Sequence, residues 1–80
     1  MSQSHFSASY YVAVTPSDSV PISFNALYIG VSGDVTLKNS ATGTAVLFKA
    51  VPVGILWAES SQGFVMATGT GATNIVALTW

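Results

Sequence analysis

The side chains able to do acid–base or metal chemistry are few: one histidine, His5, and three carboxylates, Asp18, Asp34 and Glu59. General acid–base catalysis needs groups held within hydrogen-bond reach of one reacting atom. His5 stands in a Ser-rich stretch with no second titratable group beside it, and the carboxylates fall at three separate turns or strand ends. Asp18, within Thr15-Pro16-Ser17-Asp18-Ser19, and Asp34, after Gly33, have the setting of turn residues that accept hydrogen bonds from nearby backbone N–H groups. The absence of cysteine removes thiolate nucleophiles, thiolate metal sites and disulfides together. No His or carboxylate cluster supplies another metal site. Serines are plentiful, but none lies in a G-x-S-x-G elbow and no base is placed to activate one. The run Gly69-Thr70-Gly71-Ala72-Thr73-Asn74 begins like a dinucleotide fingerprint. It lacks the third glycine and leads into β-branched residues instead of the helix N-terminus that a phosphate needs, so it reads as a tight turn. The expectation is no enzyme, no cofactor and no metal.

Aromatic and apolar side chains are the remaining means of recognition. Tyr10, Tyr11, Tyr28, Trp57 and Trp80 could stack on sugar rings, which keeps a small carbohydrate-binding β-sandwich for adhesion as the alternative reading. Packing in the core or against another subunit is the favoured use. The interface candidates are Phe6, Tyr28, Leu56, Trp57 and Trp80.

The elements that position these residues follow from composition and rhythm. Eighty residues leave room for one domain and one core. Only 6% of residues are charged while 50% are hydrophobic, against about 25% charged in ordinary globular domains. A neutral apolar exterior promotes association, so association is the expected state. A net charge of −1 and the lack of arginine argue against nucleic acid, whose phosphates need several Lys or Arg. The longest apolar stretch, residues 50–58, is interrupted by Pro52 and Gly54 and falls well short of the ~20 residues of a spanning helix, so no membrane partner is expected. Residues 1–9 carry no Lys or Arg ahead of an apolar run, as a secretory signal would.

Those nine Ser-rich residues are expected to form an N-terminal arm, flexible or ordered on assembly, ahead of a single β domain over residues 10–80. From Tyr10 onward, short β-branched and aromatic runs alternate with Gly, Pro, Asn or Ser clusters at intervals of about 8–12 residues. The fold class expected is all-β: a small antiparallel β-sandwich or barrel-like domain of about seven short strands. These are residues 10–15, 26–30, 34–38, 44–50, 55–58, 64–68 and 74–79. Val31-Ser32-Gly33 is expected to link the second and third as an antiparallel hairpin, with Gly33 at positive φ. Turns are expected at 39–43, 52–54, 60–63 and 69–71. Val35 and Leu37 alternate with Asp34, Thr36 and Lys38, the period of a half-buried strand. Residues 26–29 and 55–57 are apolar on both faces, the local mark of a surface that another protein covers.

Several stretches resemble the spike base proteins of tailed bacteriophages and phage-derived gene transfer agents. They are Ala13-Val14-Thr15-Pro16-Ser17-Asp18-Ser19, Ala26-Leu27-Tyr28-Ile29-Gly30-Val31-Ser32-Gly33-Asp34-Val35, Phe48-Lys49-Ala50-Val51-Pro52-Val53-Gly54 and residues 67–78. The order is kept over most of residues 13–78. The resemblance implies a virion structural protein on the phage head surface: a capsid decoration or spike base subunit that forms a symmetric homo-oligomer. Its implied partners are further copies of itself, the major capsid protein and a spike or fibre protein. Where the family often has a proline and a basic residue after its Val-Pro-x-Gly turn, this chain has Leu56-Trp57-Ala58-Glu59, and residues 1–9 have no counterpart.

Overall fold

The computed structural model describes residues 8–80. Its eight strands are β1 (Tyr10–Ala13), β2 (Ile22–Phe24), β3 (Ala26–Val31), β4 (Gly33–Lys38), β5 (Val46–Val51), β6 (Gly54–Leu56), β7 (Ser60–Val65) and β8 (Thr73–Thr79). They form two antiparallel four-stranded sheets. Sheet I has the order β1-β8-β3-β6 and sheet II the order β2-β7-β4-β5. No helix occurs among the described residues, in line with the β-branched, Gly-punctuated pattern.

The core follows from strand register. Residues directly opposite one another on neighbouring strands share a face, and Leu27 lies opposite Ala77 while Ile29 lies opposite Ile75. These four point inward from sheet I and meet Phe24, Val35, Leu37, Val51 and Val65 of sheet II. Leu27, Ile29, Val35 and Val65 are the largest fully enclosed side chains, each contributing roughly 1.5–3 kcal/mol of burial. Val35 and Leu37 enter the core as expected, while Asp34 and Lys38 stay partly exposed. Thr36, expected on the outer face with them, is instead buried, its N–H donating to Thr70 Oγ1 at 3.0 Å and its carbonyl accepting from Met66 N at 2.9 Å.

Several sequence expectations are overturned. The strands at 26–30 and 34–38 do not form a hairpin: β3 belongs to sheet I and β4 to sheet II, and the chain passes from one sheet to the other through Ser32. Gly33 is not at positive φ. Its missing side chain admits a neighbouring backbone instead, since a Cβ there would stand 2.7 Å from the Ala72 nitrogen. The 52–54 turn likewise carries the chain between sheets, from β5 to β6. Residues 60–63, expected as a turn, are the first four residues of β7, where Ser60 pairs with Phe24 and Gly63 with Ile22. The expected strand at 64–68 accordingly ends at Val65. The partner that draws these small polar residues into a sheet is β2, a three-residue strand missed beside Pro21 and Asn25. The 39–43 turn is present and joins β4 to β5, with Gly43 N donating to Ser40 O at 3.0 Å.

Candidate subunit interface

Two of the three carboxylates, Asp18 and Asp34, are structural. Asp18 Oδ1 accepts from Thr68 N at 3.0 Å and Oδ2 accepts from Thr68 Oγ1. These two bonds hold its carboxyl below the usual aspartate range, the hydroxyl bond most strongly. Asp18 is thus an acceptor as expected, but for a donor 50 residues away; within its own loop, Ser17 Oγ accepts from Ser19 N and Val20 N. Asp34 Oδ1 accepts from Ala50 N at 2.9 Å, and Oδ2 faces Lys49 Nζ at 3.7 Å. Its backbone oxygen takes Gly71 N and Ala72 N, so those two amides of the Gly69–Asn74 run are spent inside the protein. No group of three potential metal ligands occurs among the described residues. His5 and Phe6 lie outside the described residues, and Ser9, in the stretch expected as an arm, donates through its N–H to Thr79 O at 2.9 Å.

The surface with functional character is the outer face of sheet I. Register places Ala13, Val76, Tyr28 and Ile55 in one row across all four strands. Tyr11, Leu78 and Ala26 form the next. Every one of these side chains is apolar or aromatic, and Tyr11, Tyr28 and Ile55 are 69%, 40% and 41% exposed. None of the strands of sheet I contains Asp, Glu, Lys or Arg. Sheet II is different: Asp34 and Lys38 lie on β4 and Lys49 on β5, with Lys38 Nζ 5.0 Å from the centre of the Phe64 ring. The charges carried by strands thus all lie on sheet II, while Asp18 and Glu59 stand in connecting segments. An uncharged exposed face of this kind is a candidate protein contact.

The interface candidates divide accordingly. Tyr28 is on the exposed face. Trp57 follows β6 and Trp80 follows β8, and their rings meet edge to face. Their interplanar tilt is 72°. Leu56 lies opposite Leu27 and packs on the core, supporting the face from beneath. Tyr11 is among the aromatics, and Ile55 within the two-faced apolar run, that the sequence itself marks for contact, whereas Val76 and Leu78 carry no such mark. Their strands are apolar at nearly every position, and only register tells which side is outward.

No protein-family model matches the chain, and no curated protein does. A solved structure is similar: a chain in the capsid of a native gene transfer agent particle, computed with C5 symmetry, is 31% identical with a TM-score of 0.74. The match covers 90% of this chain and 83% of that one. With that identity maintained over nearly the whole of both chains, this protein belongs to the family of that gene transfer agent capsid chain, as a non-enzymatic structural protein of a virus-like head.

Proposed function

We propose that the protein is a decoration or spike base subunit of the head: copies assemble into a symmetric ring on the outside of the major capsid protein and seat a spike or fibre. The observation that carries this reading is the uncharged outer face of sheet I, presented by a relative of a capsid chain. A monomer in water gains nothing from exposing Tyr11, Tyr28 and Ile55 together, whereas a subunit covers them against its neighbour or its capsid. The neighbour's particle was computed with C5 symmetry, a setting in which identical subunits repeat one contact around an axis. The resemblance to spike base proteins, kept in order over most of residues 13–78, supports the spike base reading. Tyr28, Trp57 and Trp80 are the contact residues proposed for this face. Residues 1–9, with Phe6, are proposed to bind the capsid or a neighbouring subunit.

Electron cryomicroscopy of the particle that carries this protein tests the reading. Density for it confined to the five-fold vertices, beneath a spike, is the expected result. Density at every capsomer junction would replace the spike base with a cement role, and absence from the particle would overturn both. Deleting residues 2–9 is expected to abolish attachment and preserve the β fold.

A further inference from the structure

A sheet edge presents unpaired N–H and C=O groups, and natural edges are blunted by shortness, proline, charge or bulges. Three of the four edge strands here are blunted. β2 has three residues, follows Pro21 and shifts register against β7 between Ile22 and Phe24. β6 also has three residues, shortly after Pro52. β5 carries Lys49, and its register against β4 shifts between Gly33 and Val35, close to Ala50 at φ 55°. Among the described residues, β1 has none of these devices. Tyr10-Tyr11-Val12-Ala13 is exposed throughout, uncharged, free of proline and in unbroken register with β8. Val14 N donates to Ile75 O at 2.9 Å, so alternation along the strand turns the N–H of the adjacent Ala13 to the open edge.

A second opening lies across the molecule. β1 and β6 are opposite edges of sheet I, and β5 runs into β6 through Pro52 and Val53, so β5 shares the side of β6. Ahead of Lys49, β5 begins Val46-Leu47-Phe48, with Val46 and Leu47 52% and 50% exposed. Two different open edges on opposite sides are what a head-to-tail contact requires; a two-fold contact would use a single self-complementary patch.

We infer that the β1 edge of one copy pairs with residues 46–48 of β5 in a second copy, so that hydrogen bonding runs on from subunit to subunit. This rests on the ring proposed above and names its contact. The occupant is another copy of this chain because each open edge is apolar and uncharged like the other, and because cyclic symmetry repeats one such heterologous contact.

Light scattering of the full chain at micromolar concentration tests the pairing. The wild type is expected to be an oligomer. Ala13→Pro removes a donor from the open edge while sparing the N–H groups that face β8. Tyr11→Lys charges the same edge, and Leu47→Lys charges the other. Each variant is expected to lose the oligomer with its far-ultraviolet circular dichroism unchanged. A mixture of a β1 variant with Leu47→Lys retains one intact edge of each kind and is expected to form a heterodimer. Should Ala13→Pro fail to fold, Tyr11→Lys takes its place in the mixture. A monomeric wild type overturns the ring itself. A wild-type oligomer that survives Tyr11→Lys or Leu47→Lys, or variants that no mixing rescues, overturn the edge pairing and leave the ring standing.

Discussion

The Trp57 ring meets the Trp80 ring edge to face, centroids 6.2 Å apart. β3 separates the two strands that deliver these residues, β6 and β8, so the contact reaches across the start of β3. The backbone is fastened at the same place: Trp80 N donates to Asn25 Oδ1 at 3.0 Å, and Asn25 N donates to Leu78 O at 2.8 Å. Edge-to-face aromatic pairs contribute about 0.5–1.5 kcal/mol beyond the area they bury. Trp57→Ala and Trp80→Ala should each lower stability in urea unfolding, and the double variant should lose less than the sum by about that amount. Simple additivity would show that the rings are not coupled in solution.

Gly33 marks the point where the chain enters sheet II. A Cβ there would stand 2.7 Å from Ala72 N and 2.9 Å from Gly71 C, both backbone atoms. The segment it would displace is held by Gly71 N and Ala72 N donating to Asp34 O. Gly33→Ala should therefore cost about 1–3 kcal/mol, the range for overpacking that forces backbone movement. Gly71→Ala is the control, because its Cβ would meet nothing closer than Asp34 N at 3.9 Å. Equal losses at the two positions in chemical unfolding would refute the close-approach explanation.

How far the sequence could be read depends on the range of the interaction involved. Alternation at Val35 and Leu37 is local, and it picked out both core residues. It missed that Thr36, on the opposite face, is buried as well, because its partners Thr70 and Met66 come from a distant part of the chain. The two-faced apolar runs at 26–29 and 55–57 were also visible, and they fall on β3 and β6, which pair directly in sheet I. Sheet membership was not legible, because Ser32 links two sheets where a hairpin of similar composition would stay in one. Nor could Ser60, Ser61 and Gln62 announce a strand whose partner is the three residues of β2. Asp18 showed itself as an acceptor, yet Thr68 as its donor is a product of the tertiary fold. The same holds for the candidate face: Tyr28 and Trp57 stood out by type, whereas Val76 and Leu78 gained meaning only once β8 was placed between β1 and β3.

Asp18 makes stability sensitive to acid. Its hydrogen bonds to the Thr68 hydroxyl and backbone N–H lower the carboxyl pKa in the folded state. A folded-state value below the unfolded one gives a contribution that is complete above the ordinary aspartate range and is lost as pH falls through the lowered value. Melting temperature should therefore drop on acidification below about pH 4. Asp18→Asn should melt lower at neutral pH and show a flatter profile in that acidic window. Parallel profiles for the two proteins would mean that the Thr68 contacts do not persist in solution.

Charge placed on the outer face of sheet I should separate folding from assembly. Tyr28 is 40% exposed, between Val76 and Ile55 in its row. In the isolated subunit, Tyr28→Lys loses cross-strand packing, about 1 kcal/mol at most, while the ammonium reaches water. Beneath a neighbouring protein, the same ammonium would be desolvated without a partner, since no strand of sheet I supplies a carboxylate. A buried unpaired charge costs several kcal/mol. Tyr28→Lys should therefore fold and yet be strongly depleted from purified particles when it competes with the wild type for incorporation. Lys49→Ala on sheet II should fold and be incorporated normally. Equal incorporation of Tyr28→Lys and wild type, quantified by mass spectrometry of the particles, would show that this face stays open to solvent in the assembled head.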